Sequence, residues 1–144
     1  MTAPRTHRWV STWGRTSSPS NDFHFKIVSG PATVQRIIGD VTWRSAASVF
    51  GGFQDCAWGI NVGTDFVLPT APNTPGQDWM IHRVCYVPAA SGQQTVVSLE
   101  PQHVDLEGQR VLADSSTSLW FTIANFPGGP TFDWAGAFRV LLLE

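Results

Sequence analysis

Apolar residues along this chain recur in short runs separated by turn-forming residues. The runs are FHFKIV (23–28), ATVQRIIGDVTWRS (32–45), CAWGINVG (56–63), DWMIHRVCYV (78–87), QTVVSLE (94–100), QHVDLEGQRVL (102–112), SLWFTIANF (118–126) and AGAFRVLLLE (135–144). They stop at Ser29-Gly30-Pro31, Gly51-Gly52, Ser91-Gly92 and Pro127-Gly128-Gly129-Pro130. No window sustains a 3.6-residue apolar period with helix caps, so helix content is expected to be low. About eight strands at this spacing predict an all-β chain: a single-domain antiparallel β-sandwich or jelly-roll-like barrel. VLPTAPNTPGQ (67–77) must be a loop, because Pro69, Pro72 and Pro75 have no amide hydrogen for a central ladder. Gly108 predicts a bulge or a turn within its run.

Residues 1–22 carry no such run. They are rich in Ser, Thr, Pro and Arg, with isolated Trp9 and Trp13, which predicts an extended basic N-terminal arm ahead of a β-sandwich domain at 23–144. The last run is apolar on both strand faces, with Phe138, Val140 and Leu142 on one and Leu141 and Leu143 on the other. Such a segment is expected to be locked into a sheet.

Strand phase adds a second expectation. In 32–45, Ile37, Val41 and Trp43 share one face, while Val34 and Ile38 fall on the other. In 118–126, Leu119, Phe121 and Ile123 share one face, opposite Trp120 and Phe126. A free sandwich alternates apolar-in with polar-out. Apolar residues on both faces therefore require a cover: the arm, the Pro-rich loop or another subunit.

Composition sharpens that expectation. Of 144 residues, 14% are charged, only Lys26 is a lysine, and there are seven Trp and nine Phe. Few charges beside many rings suit a subunit that hides surface in an assembly. The net charge of −2 makes no general case for nucleic acid or membrane. Arg5, Arg8 and Arg15 nevertheless sit in an acid-free stretch, so the arm either touches phosphates or, the favoured reading, docks on a neighbour's acidic body. MTAPRTHRWVS has no apolar signal core, no run is long enough for a membrane span, and the chain is expected to be made in the cytoplasm. Cys56 and Cys85 lack zinc-like spacing and are expected as buried thiols.

Candidate chemistry is sparse. There is no Gly-x-Ser-x-Gly elbow, P-loop or dinucleotide fingerprint. Asp78 and His82 share a face if both lie on a strand, but a locally hydrogen-bonded His is the simpler reading. Asp22 and His24 alternate, yet two donors fall short of the three or four a metal site needs. Asp105 and Glu107 also alternate, with Arg110 as the expected ion-pair partner. No catalytic residue, metal ligand or cofactor is expected. Trp43, Trp58, Trp79, Trp120 and Trp134 are candidates for a sugar-stacking platform, although their aliphatic neighbours favour core or interface roles.

The succession GPATVQRIIGDVTW, AWGINV, a Pro-rich loop, DWMIHRV, HVDLEGQRVL, LWFTIA and AGAFRVLLLE resembles a group of small phage-encoded proteins found beside virion structural genes. Their pattern has a Gly-x-Thr-x-x-Arg-x-x-Gly strand, a Trp-bearing strand after a Pro-rich loop, and an Asp-x-x-x-x-Arg strand. The matching positions are Gly30 to Gly39, with two residues between Gly30 and Thr33, then Trp79 to His82, and Asp105 with Arg110. The resemblance spans residues 30–144 and leaves the arm outside. It implies a non-enzymatic bacteriophage virion protein, a capsid decoration (cement) or minor capsid protein. The major shell is disfavoured, because the tailed-phage shell fold is α+β and larger. The implied partners are itself, as a homo-oligomer with a trimer preferred, and other capsid proteins. Arg5, Arg8, Trp9, Trp13 and Arg15 are the expected arm anchors, and Trp120 and Phe126 the expected contact rings. The alternative expectation is a carbohydrate-binding module on a receptor-binding virion component.

Overall fold

A computed structural model describes residues 6–18, 20–45, 52–70, 74–87, 97–98, 102–126 and 132–143; for 43–45, 52–55, 79–87, 97–98, 102 and 126 it gives the backbone alone. Among these residues are nine strands: β1 (His7–Arg15), β2 (Asp22–Ser29), β3 (Ala32–Ser45), β4 (Gly52–Gly63), β5 (Trp79–Val87), β6 (Val97–Ser98), β7 (Gln102–Leu112), β8 (Ser118–Phe126) and β9 (Phe132–Leu143). They form two antiparallel sheets. The first runs β1-β9-β3, with β7 and the two-residue β6 both pairing with the far side of β3. The second runs β2-β8-β4-β5.

Pairing is nested along the chain. β1 pairs with β9, β2 with β8, β3 with β7, and β4 with β5. The chain is thus one long antiparallel ribbon whose tip is the β4–β5 pair. Pairing of β9 with β3 and of β8 with β4 rolls that ribbon into two layers. Inward side chains of both layers make one core, whose largest fully buried members are Trp58, Trp134, Phe121, Phe132 and Phe138. Burying each such ring contributes roughly 2–3 kcal/mol. At the centre, the rings of Phe25, Phe121 and Phe138 meet at centroid distances of 5.0–5.7 Å. Backbone close to these rings must lack side chains. A Cβ at Gly39 would lie 2.4 Å from the Phe138 ring, and one at Gly136 3.1 Å from Phe25.

The arm expected at 1–22 is extended, but its residues 7–15 belong to the first sheet. β1 pairs with β9 along its whole length, from His7↔Leu143 to Arg15↔Ala135. Val10 packs against the core and Gly14 lies under Phe25, whereas the outward residues are polar or aromatic. The linker after β1 is stitched down too. Thr16 N–H donates to Trp134 O at 2.9 Å, and Ser20 and Phe132 exchange backbone bonds at 2.9 and 3.0 Å. This accounts for a ninth strand beyond the expected eight. Residues 1–5 lie outside the described ones, as does most of the run 94–100, of which only Val97–Ser98 is described.

One phase expectation is corrected. Val34, expected opposite Ile37, is fully buried beside it. The pairing of β3 with β9 shifts between Val34 and Arg36, so Gln35 is an extra residue that turns both Val34 and Ile37 inward. On the partner strand β7, Gly108 adopts a φ of 137°, the bulge its glycine foretold. Ile38 does remain on the outer face. Trp43 pairs through its backbone with Trp134, and its side chain lies outside the described residues.

The cover on the second sheet's outer face is the chain's own: the end of β4 and Phe66 over Trp120, and the Pro-rich loop over Thr122. Trp120 Nε1–H donates to Gly63 O at 3.2 Å, Phe66 sits 5.8 Å from its ring, and Lys26 lies over it at 5.3 Å. Beside it, Thr122 is fully buried although it points away from the core. Its hydroxyl donates to Val67 O at 3.0 Å and accepts from Gln77 Nε2 at 3.2 Å. Asn61 holds the loop at two points, donating to Asp65 O at 2.9 Å and accepting from Val67 N–H at 3.2 Å. Gln77 packs onto Gly59 so tightly that a Cβ there would be 2.2 Å from its amide oxygen.

Candidate functional site

The outer face of the first sheet carries no such cover among the described residues. Its registers bring together side chains remote in sequence. One row across the strands is Trp13, Ala137, Asp40 and His103. The next is Ser11, Arg139, Ile38 and Asp105, followed by Trp9, Leu141, Arg36 and Glu107. Rings line the β1 margin of this face and acids the β7 margin.

Charges on this face are paired laterally. The Arg36 guanidinium donates to both oxygens of Asp105, at 2.9 and 2.8 Å, with Glu107 at 3.9 Å. That hydrogen bond and the positive charge hold the Asp105 carboxyl below the usual carboxylate range, and they raise Arg36 in turn. His103 Nδ1 meets Asp40 Oδ1 at 3.0 Å. The Arg139 guanidinium lies 4.9 Å above the Trp9 ring. Elsewhere, the hydroxyl and amide of Ser116, with Thr117, lower the Asp114 carboxyl in the β7–β8 turn.

Trp13 is the most exposed large apolar side chain among the described residues, at 75%, and Trp9 is 40% exposed. Across from Trp13 the short Ala137 leaves a groove of about 390 Å³, bounded by Trp13, Asp40 and Arg139.

The expected anchors are only partly brought together. Trp9, Trp13 and Arg15 project from this face, and Arg8 is exposed near the start of β1. Arg5 lies outside the described residues, as does the side chain of Phe126. Trp120 belongs to the opposite outer face, between Phe66 and Lys26. Of the expected sugar platforms, Trp58 and Trp134 are core, the latter donating its indole N–H to Ser20 O at 3.0 Å. The side chains of Trp43 and Trp79 are outside the described residues. No sequence signal nominated Asp40, His103, Ala137 or Arg139 as a group, because only the strand order places them together.

Arg110 pairs with Asp78 at 3.0 Å, not with Asp105 or Glu107, because the Gly108 bulge turns it toward the second sheet's edge. Asp78 precedes β5, and the side chain of His82 is outside the described residues. His24 stacks on Phe66 at 3.5 Å. Cys56 is buried, and register places Cys85 opposite Gln54. Among the described residues no group of three or more His, Cys, Asp or Glu could hold a metal ion, and no helix is long and apolar enough to cross a membrane. No family model matches this chain, and no curated protein matches its sequence.

Proposed function

We propose that this chain is a non-enzymatic bacteriophage virion protein, a capsid decoration or minor capsid subunit that acts by self-association and by docking on other capsid proteins. In this reading the sandwich is a jelly roll: β1-β9-β3-β7 facing β2-β8-β4-β5 is the order produced by rolling one nested ribbon. Jelly rolls serve in viral capsids, lectins and cupins. The observation that carries the capsid reading is β1, a margin strand of the first sheet with Arg8 and Trp9 exposed at its start. A sheet margin of this kind invites pairing with another chain unless it is guarded. Trp and Arg are the residues that most often anchor interfaces. The small charged share, 14%, fits a surface that is partly buried in an assembly.

The test is mass spectrometry of purified phage particles whose genome encodes this chain. The account predicts the protein in stoichiometric, symmetry-related copy number. Its absence from particles, with abundance in the infected cell, would refute the reading.

A further inference from the structure

We infer that the groove beside Trp13 on the outer face of the first sheet binds a neutral saccharide ring. The inference stands apart from the virion reading and rests on this face alone. A pyranose presents one C–H-rich face, which packs on an aromatic ring, and a rim of hydroxyls that both donate and accept. The groove offers a match for each. Trp13 supplies a flat, exposed indole. Asp40 accepts hydrogen bonds and Arg139 donates them.

Both polar groups are held before any ligand arrives. His103 fixes one oxygen of Asp40 at 3.0 Å and leaves the other for a ligand. The Arg139 guanidinium rests 4.9 Å over Trp9, at the β1 side of the groove. Preorientation of this kind reduces the ordering cost of binding. Trp13 and Asp40 stand two strand spacings apart, about 9.6 Å, with Ala137 as a low floor between them. One acid and one base also balance in charge. A phosphate would be repelled by Asp40 and an ammonium by Arg139, so a neutral polyhydroxyl ring is the chemistry that satisfies both.

The experiment titrates the full chain with the methyl glycosides of glucose, galactose, mannose and N-acetylglucosamine. Tryptophan fluorescence and amide NMR shifts report binding, and light scattering is recorded in parallel. At least one glycoside should bind saturably, with shifts centred on Trp13, Asp40 and Arg139. Trp13→Ala and Asp40→Asn should each weaken it roughly tenfold, the scale of one stacking or hydrogen-bonding contact. Ala137→Leu, which fills the groove without touching a polar group, should abolish binding and leave the thermal melt and the oligomer unchanged.

No saturable binding by any glycoside up to its solubility limit overturns the inference. So does binding that survives both Trp13→Ala and Ala137→Leu. If Ala137→Leu instead dissociates an oligomer, the groove is a contact between copies of this chain and the saccharide assignment is wrong.

Discussion

The two outer faces of this sandwich answer the same problem differently. Each carries apolar side chains that a simple alternation would have kept inside. On the second sheet, Trp120 and Thr122 are closed over by residues 61–67 and Gln77 of the same chain through a set of hydrogen bonds. On the first sheet, Trp9, Trp13 and Ile38 stand among laterally paired charges without an intrachain lid among the described residues. A buried hydrogen-bonded seal belongs to stability, and an open, pre-oriented surface belongs to recognition. Substitutions should therefore divide by face.

The largest effect should come from the core that supports both faces equally. Phe138→Ala should cost about 3–5 kcal/mol, seen as a large fall in the chemical denaturation midpoint. Retention of most of the stability would mean that the two layers are not held by the Phe25–Phe121–Phe138 cluster. Next comes the sealed face. Gly59→Val drives a side chain into Gln77 and should lift the loop, costing about 1–3 kcal/mol and raising amide exchange around Val67 and Gln77. Thr122→Val keeps the volume but removes the hydroxyl's two loop bonds, leaving Val67 O and the Gln77 amide only their bond to each other, at about 1 kcal/mol. If either substitution leaves stability unchanged, the loop is not a seal.

The smallest effect belongs to the open face. Arg36→Gln should leave the melting temperature nearly unchanged, because the ion pair with Asp105 is exposed to solvent and screened. It should still be visible in the pH dependence. The folded Asp105 carboxyl titrates below its unfolded value, so the pair's contribution is present above about pH 4 and is lost as pH falls through the folded value. NMR titration of Asp105 should show its midpoint move up toward the ordinary range in Arg36→Gln. An unmoved midpoint would deny the coupling.

The all-β class and the two-layer core were legible in the runs themselves, and the Pro-rich segment announced a loop. Less was legible where one residue changed the phase. Gln35 has no signature of its own, yet its bulge carries Val34 into the core, and only Gly108 across the ladder hinted at it. β1 was hidden for a related reason: a strand at the sheet margin needs few apolar residues, and here Val10 is the main one to meet the core. The Trp13 groove was not legible at all. Its members at 13, 40, 103, 137 and 139 become neighbours only through the order β1-β9-β3-β7, which no local pattern encodes. Rings were visible in the sequence, but their exposure was not. Trp58 and Trp134 went to the core, and Trp13, placed on a supposed arm, became the open one.

The central claim is that the β1 margin, at its Trp9 end, is where this protein meets copies of itself, leaving the Trp13 groove open. Light scattering of the full chain over a wide concentration range tests it most directly, with Trp9→Ala as the paired variant. The account predicts a closed oligomer, a trimer first among the forms, that shifts toward monomer in Trp9→Ala while the melting temperature holds. A monomer at every concentration, or an oligomer indifferent to Trp9→Ala, would contradict it.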